Sequence, residues 1–331
     1  MTDNETAEQG LPFGVTSFYK SLSLSSDPER DPIAAQFLPT EHELDIQPYE
    51  TDDPLSDQQY EVVPRAIHHY PDRLLVLAND RCATYCRHCF RRHFTADGTG
   101  GISDTEVSRI ANYLRSHPEI QEVLLSGGDP LLLPLPRLTS LIRRLRSARP
   151  ELVVRISSRI PVVQPDLVTT AFARTLGDLA PLWFVVQVNH PREISPEFLA
   201  ATGELVGAGI PIVDQTVLLR GINDSADTLE ELFRSLVRAR IKPYYLFQGD
   251  LASGTRHVRV NLARGISIME ELRKRLSGLA LPTYAVDLPH GGGKKPLTES
   301  AIVRTEDEWY VLNDVAGREY RYPREHEGRT D

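Results

Sequence analysis

The stretch RLLVLANDRCATYCRHCF, residues 73–90, decides how this chain is interpreted. An apolar run, Arg73–Ala78, predicts a β-strand and leads into Cys82, Cys86 and Cys89, the only cysteines among 331 residues. Thiols that merely fill a core would not collect within eight residues of one polar, arginine-rich loop. An odd number of cysteines also disfavours a framework of disulfides. The loop is therefore a candidate metal site.

Two kinds of metal site are open to these cysteines. The first is a zinc ion completed by His88 or His93, although structural zinc usually takes four ligands from two pairs far apart in sequence. The second is an iron–sulfur cluster, which cysteine thiolates hold, normally four of them. Three thiolates would leave one iron open, and an open metal position is typical of a catalytic site.

Strand and helix patterns alternate after the cysteine loop. Further apolar runs predict strands at Glu122–Leu125, Leu152–Ile156, Leu182–Val188, Ile210–Leu219, Tyr244–Phe247 and Thr283–Val286. Between them, apolar residues at helical spacing predict helices, one of which begins at a capping box, Ser103–Glu106, and another of which covers roughly residues 166–177. This alternation predicts a parallel sheet with right-handed crossovers. We expect an α/β fold, a partial (β/α)6 barrel with chemistry at the carboxyl ends of its strands.

Three regions are expected along the chain: an N-terminal wrapping extension, 1–65, the partial barrel, 66–290, and a glycine–lysine loop with a small β-rich C-terminal tail, 291–331. The net charge of −9 argues against nucleic-acid and anionic-membrane partners, which attract basic surfaces. No apolar run approaches the length of a transmembrane helix. The N-terminal sequence is acidic and polar, unlike a signal peptide. We therefore expect a cytoplasmic protein.

Two glycine-rich segments follow predicted strands. In the first, Ser126, Gly127, Gly128 and Asp129, glycine would let the backbone approach a ligand closely, with a tight turn as the alternative. The second, HGGGK, ends at Lys294. It could bind phosphate, carry a lysine Schiff base with pyridoxal phosphate (PLP), or form a plain flexible loop. It is not a Walker A loop, because the GxxxxGK[ST] spacing fails.

The motifs together resemble the lysine 2,3-aminomutases, a family within the radical S-adenosylmethionine (SAM) superfamily. The CxxxCxxC loop after a strand resembles the superfamily. The segments that resemble the narrower family are TDDPLSD, VVPRAIHHYPDR, CRHCFRRHF, SGGDPLL, SSRIPVV, VNHPREI, QTVLLRGIND, KPYYL and VDLPHGGGK, in that order. The resemblance covers about residues 50–320. It implies a radical SAM barrel and an isomerase that moves an α-amino group to the β-carbon of an amino acid.

The resemblance also implies the cofactors and the residues that hold them. Cys82, Cys86 and Cys89 would bind a [4Fe–4S] cluster whose fourth iron is chelated by SAM. The Ser126–Asp129 segment would bind the SAM methionyl group. Lys294 would be the catalytic lysine that binds PLP covalently. The PLP pocket would further include Tyr70 and Arg73.

For the substrate, the resemblance implies that Arg91 pairs with the α-carboxylate and that Asp250 and Asp287 hold the ε-ammonium of L-lysine. The residue types agree with these roles, since guanidinium binds a carboxylate through two hydrogen bonds and a buried ammonium needs paired carboxylates. Arginine and ornithine are alternative substrates, whereas glutamate would be repelled. A radical SAM enzyme acting on a peptide or protein, and a non-catalytic metal-binding module, are further alternatives.

Several positions depart from the family pattern. His69 replaces an arginine of the PLP pocket, Phe247 a tyrosine, Gln187 a histidine and His290 a glycine. The C-terminal cysteine cluster that binds zinc in long members is missing, so we expect no zinc. The expected partners are an amino acid substrate and an electron donor such as flavodoxin or ferredoxin, and association into a homo-oligomer is left open.

Overall fold

The computed structural model describes residues 11–95 and 98–325. Ten strands form one sheet in the order of the sequence. They are β1 (Glu61–Val63), β2 (Ala66–Tyr70), β3 (Arg73–Asn79), β4 (Glu122–Gly127), β5 (Val153–Ser158), β6 (Leu182–Val186), β7 (Ile212–Val217), β8 (Ile241–Phe247), β9 (Thr283–Leu288) and β10 (Gly293–Pro296). β3 to β9 run parallel, and β1, β2 and β10 are antiparallel at the edges. Within the described residues the two edge strands do not pair with each other, which confirms a partial barrel.

Apart from one short helix in the N-terminal extension, the helices lie in the connections between the parallel strands. They are α1 (Ser17–Ser21), α2 (Arg92–Thr95), α3 (Asp104–Ser116), α4 (Leu135–Ala148), α5 (Ile160–Val163), α6 (Thr170–Gly177), α7 (Pro196–Gly207), α8 (Ala226–Arg238) and α9 (Leu262–Arg275). α3 starts at the predicted capping box, where the Glu106 N–H donates to Ser103 Oγ at 3.2 Å and the Ser103 N–H donates to the Glu106 carboxylate at 2.7 Å. Of the helices in the described ranges, none combines the length and apolarity that crossing a membrane requires.

One helix begins later than its sequence pattern predicts. The pattern indicated a helix over about 166–177, whereas α6 starts at Thr170 and Pro165–Leu167 form a separate 3₁₀ turn. The hydroxyl of Thr169 accepts the N–H of Phe172 at 3.2 Å and so caps α6. A capping threonine places the first helical turn after itself, which explains the difference.

The two faces of the strands have different surroundings, as the two-residue period of a strand requires. On β4 and β5, Val123, Leu125, Val154 and Ile156 are fully buried against the helices. Burying such a side chain contributes about 1.5–3 kcal/mol. Intervening residues such as Arg155 instead line a cavity inside the barrel.

The described parts of the N-terminal extension and of the C-terminal tail both contribute buried residues to the core. In the N-terminal extension, Leu11, Tyr19 and Ile33 are buried. After β10, the strands β11 (Ile302–Thr305), β12 (Trp309–Asn313) and β13 (Glu319–Pro323) form a separate antiparallel sheet, which confirms the β-rich C-terminal tail. The region boundaries at residues 65 and 290 stay predictions.

A buried ion-pair triad joins Glu50 of the N-terminal extension and Glu325, which follows β13, to the loop after β8. Arg259, which is 1% exposed, lies between Glu50 and Glu325, with one Nη atom 2.6 Å from each carboxylate. Its Nε–H donates to the main-chain oxygen of Asp250 at 3.3 Å. The triad therefore fixes the backbone of a predicted substrate-binding residue.

Candidate active site

One cavity of about 710 Å³ occupies the barrel. It is bounded by the cysteine loop after β3, by the segments after β4, β5 and β8, and by the hairpin of β9 and β10. All thirteen site residues named from the sequence line it: Cys82, Cys86, Cys89, Ser126, Gly127, Gly128, Asp129, Tyr70, Arg73, Arg91, Asp250, Asp287 and Lys294. Residues as far apart in sequence as Tyr70 and Lys294 thus share one compartment.

The three cysteines face this cavity as free, partly buried thiols. The N–H of Cys89 donates to the carbonyl oxygen of Cys86 at 3.0 Å and closes the turn between them. Burial, and then the nearby Cys89, Asp129 and Cys86, raise the pKa of the Cys82 thiol well above its usual range. Burial and the neighbouring Cys86 raise the pKa of Cys89 to about 11. The three thiols thus belong to one pocket.

This donor set fits an iron–sulfur cluster, since three thiols converge on one pocket and a four-iron cluster can give each thiolate its own iron. Within residues 11–95 and 98–325, no group of three or more His, Cys, Asp or Glu is arranged around a single-ion site. His88 is engaged elsewhere: the amides of Gln187 and Asn189 donate to its Nε2 at 3.1 and 3.3 Å. Burial lowers the pKa of His88 well below its usual value, so the ring is neutral.

Two buried arginines, Arg87 and Arg159, fix the cysteine loop to the rest of the chain. Arg87 makes a two-point ion pair with Glu43 of the N-terminal extension, at 2.7 and 2.6 Å. Arg159 donates from Nη1 to Cys86 Sγ at 2.7 Å and from Nη2 to a carboxylate oxygen of Glu193 at 2.5 Å. No sequence motif predicts a role for either arginine. The SSRIPVV segment contains Arg159, but nothing local in it points to a cysteine 73 residues away.

The glycines after β4 are required by close packing against the start of the cysteine loop. A Cβ on Gly127, whose φ is +117°, would lie 2.3 Å from the carbonyl oxygen of Asn79, and a Cβ on Gly128 would lie 2.4 Å from that of Arg81. The N–H of Gly128 donates to the Asn79 oxygen at 2.6 Å. No side chain can occupy such a space, so these positions need glycine.

Asp129 has a structural set of partners. Its buried carboxylate accepts the N–H of Leu131 at 3.0 Å, the N–H of Arg159 at 2.9 Å and the hydroxyl of Ser158 at 2.8 and 2.9 Å. The side chain thereby joins the ends of β4 and β5, the two strands next to the cysteine loop. Its predicted contact with SAM stays a prediction.

Lys294 lies on β10, directly opposite Asp287 of β9. Its Nζ is 2.9 and 2.7 Å from the two oxygens of Asp287 and 4.0 Å from the ring centroid of Phe247. The main-chain N–H of Lys294 donates to the hydroxyl of Tyr70 at 2.9 Å. A strand, and not a flexible loop, therefore directs this amine into the cavity.

An aromatic stack covers the lysine strand. The ring of His69 lies 4.1 Å from that of Tyr60 and 4.6 Å from that of Tyr70, and Arg73 Cζ lies 4.0 Å from the Tyr70 ring. Nε2 of His69 donates to the carbonyl oxygen of Gly291 at 3.1 Å. Burial lowers the pKa of His69. His69 is thus neutral near pH 7, and Arg73 supplies the positive charge of this set.

These residues fit PLP, which needs an amine for its aldehyde and a cation for its phosphate. Lys294 offers the amine and Arg73 the cation.

Asp250, Arg91 and Asp57 also line the cavity. Burial and the nearby Asp287 raise the pKa of Asp250 to about 7, while Lys294 and Arg91 act in the opposite direction. Nε of Arg91 is 3.0 Å from Oδ2 of Asp57, a residue for which the sequence predicted no role. The cavity therefore presents both an acidic pair and a guanidinium.

A partial barrel with a three-cysteine loop after its first parallel strand defines a radical SAM enzyme, and comparisons agree. Residues 76–236 match the Radical SAM superfamily and residues 269–329 match the family described as Lysine-2,3-aminomutase. L-lysine 2,3-aminomutase of Fusobacterium nucleatum is 40% identical over 93% of this chain and 72% of its own length. The enzyme of the same name from Clostridium subterminale is 38% identical over 93% of this chain and 74% of its own. The chain belongs to the lysine 2,3-aminomutase family.

Membership makes the protein an isomerase of a family that uses a [4Fe–4S] cluster, SAM and PLP. The family includes different substrates: glutamate 2,3-aminomutase of Clostridioides difficile is 35% identical over 94% of this chain and 74% of its own length. The structure of a radical SAM methyltransferase from Sphaerobacter thermophilus gives a TM-score of 0.48 at 19% identity, over 67% of this chain and 68% of that one. The family assignment does not depend on that likeness.

Proposed function

We propose that the protein is an L-lysine 2,3-aminomutase that moves the α-amino group of L-lysine to the β-carbon. The observation that carries the proposal is the pair of carboxylates, Asp250 and Asp287, in one cavity with Arg91. An amino acid with a cationic side chain needs a guanidinium for its carboxylate and carboxylates for its distant ammonium. This cavity contains both.

The electrostatics of the acidic pair favour a cationic substrate. Asp250 has a raised pKa because it is buried beside another carboxylate, and within the described chain no side chain donates a hydrogen bond to its carboxylate. A substrate ammonium would relieve this repulsion. Hydrogen bonds to charged groups contribute about 1.5–3 kcal/mol each, whereas the carboxylate of glutamate would meet like charges. Glutamate is therefore the disfavoured substrate.

Each residue has a task in this proposal. Cys82, Cys86 and Cys89 would hold the cluster and Lys294 would hold PLP. When bound, the cluster with SAM supplies a hydrogen-abstracting radical, and PLP supplies an electrophilic carbonyl and delocalisation of an unpaired electron.

The protein itself orients the reactants and excludes water. Lys294 is the cation partner of Asp287 in the structure. When Lys294 is bound to PLP, its Nζ would no longer pair with Asp287. The Asp287 carboxylate would then be free to join Asp250 in binding the substrate ammonium. The ring of Phe247 beside Nζ keeps this part of the cavity apolar, and low polarity strengthens the remaining charge contacts. The electron donor and the association state stay predictions.

The test is anaerobic incubation of the reconstituted protein with SAM, PLP and reductant, in parallel with lysine, arginine, ornithine and glutamate. We expect β-lysine as the main product and no product from glutamate. Lys294→Ala should lose turnover and the PLP absorbance while keeping the cluster spectrum. A higher kcat/KM for arginine or ornithine would reject lysine as the substrate, and full activity of Lys294→Ala would reject the role of PLP.

A further inference from the structure

The segment TDDPLSDQQY, residues 51–60, forms part of the cavity wall. Leu55 and Asp57 line the cavity. Asp53 fixes the turn that presents them, since its carboxylate accepts the N–H groups of Asp57 at 2.8 Å and Gln58 at 3.0 Å. The segment is therefore an ordered element that directs one acidic side chain inward.

That acidic side chain contacts Arg91 through one particular nitrogen. Oδ2 of Asp57 is 3.0 Å from Nε, and the two side chains are only 13% and 12% exposed. The guanidinium also lies over the ring of Phe90, with Cζ 4.5 Å from the centroid. In the described ranges, no group accepts a hydrogen bond from Nη1 or Nη2. The two Nη groups of Arg91 are thus available to a ligand, while its Nε is held by Asp57.

We propose that Asp57 is a positioning residue, which holds Arg91 by Nε so that its two Nη groups face the α-carboxylate of the amino acid substrate. This inference rests on the proposed function, because it takes Arg91 as the carboxylate-binding residue. Arginine binds carboxylates best through two parallel N–H groups, and this geometry requires a fixed guanidinium plane. Asp57 and Phe90 together fix that plane.

Whether removal of the Asp57 carboxylate weakens or strengthens substrate binding distinguishes a positioning role from a purely electrostatic one. A carboxylate beside Arg91 repels a second carboxylate, so charge alone predicts that removal of Asp57 tightens substrate binding. Positioning predicts the opposite, because a long, freed arginine side chain must be immobilised again when the substrate binds. A loss of affinity in Asp57→Asn therefore identifies the positioning role.

The experiment compares Asp57→Asn with wild type and with Asp52→Asn, a matched control at an exposed position of the same segment. The protein is loaded with cluster and PLP but kept free of SAM, so that no turnover occurs. L-lysine and 1,5-diaminopentane, which lacks the carboxylate, are titrated while the visible absorbance of PLP is recorded. We expect Asp57→Asn to weaken L-lysine binding about tenfold, to leave the diamine unchanged, and Asp52→Asn to match wild type.

Three results would overturn the inference. The first is unchanged or tighter L-lysine binding in Asp57→Asn. The second is an equal loss for L-lysine and the diamine, which would show general damage to the pocket. The third is an equal loss in Asp52→Asn. Failure of the proposed function is distinguishable from all three, since wild type itself would then give no response to L-lysine.

Discussion

Replacement of Arg259 by glutamine should destabilise the protein more than replacement of any exposed arginine. Its partners Glu50 and Glu325 have side chains only 0% and 3% exposed, so the substitution leaves two carboxylates buried without a cation. Removal of one partner from a buried ion pair costs about 3–5 kcal/mol. We expect the free energy of unfolding to fall by about that amount, and the loop that carries Asp250 to loosen.

Equilibrium unfolding in urea, followed by circular dichroism, measures this loss as a lower transition midpoint with an unchanged slope. Arg256→Gln is the matched control: this arginine is 42% exposed, although it too contacts Glu325, at 3.5 Å. Exposed ion pairs contribute about 0–1 kcal/mol. If Arg259→Gln lost no more than this control, burial of unpaired charge would be the wrong explanation of the triad.

Three further predictions concern the cavity. Because the pKa of Asp250 is raised to about 7 by burial and by Asp287, its neutral form prevails below that pH. L-lysine binding to the PLP-loaded protein should therefore strengthen as the pH rises through about 7, and Asp250→Asn should abolish this pH dependence. A wild-type affinity that does not change with pH would contradict the prediction. Gly127→Ala forces a Cβ to within 2.3 Å of a carbonyl oxygen and should lower the iron content after reconstitution. Gly203→Ala is the control, because a Cβ at this position of α7 meets open space. Equal iron contents in the two variants would refute the packing argument. Cys86→Ser should lose iron but keep the PLP absorbance, and simultaneous loss of both would show that the two cofactor pockets are not independent.

Much of the barrel could be predicted from the sequence, because strand and helix patterns are local. The strand expected at Arg73–Ala78 is Arg73–Asn79, and that expected at Thr283–Val286 is Thr283–Leu288. Most of the predicted site residues lie at or after the carboxyl ends of such strands, which a parallel sheet brings to one edge. Arg73 is an exception, since it begins β3. Local patterns thus place both the strands and the groups that follow them.

The contacts that orient those groups could not be predicted in this way. Arg87 pairs with Glu43 across 44 residues, and Arg91 with Asp57 across 34. Such pairs have no periodicity, and the chain contains 37 basic and 46 acidic residues to choose among. Their partners come from the N-terminal extension, whose path depends on the finished barrel. Only the folded chain selects them.

The link from residue 50 through Arg259 to residue 325 has a consequence for biosynthesis. The segment that contains Glu50 leaves the ribosome before Arg259 and Glu325 have been synthesised. Apolar residues such as Tyr19 and Ile33, which are buried in the mature core, must meanwhile stay exposed or be shielded by chaperones. Contacts between such distant segments slow folding. Nascent chains stalled before codon 325 should therefore be more sensitive to proteolysis than the folded protein.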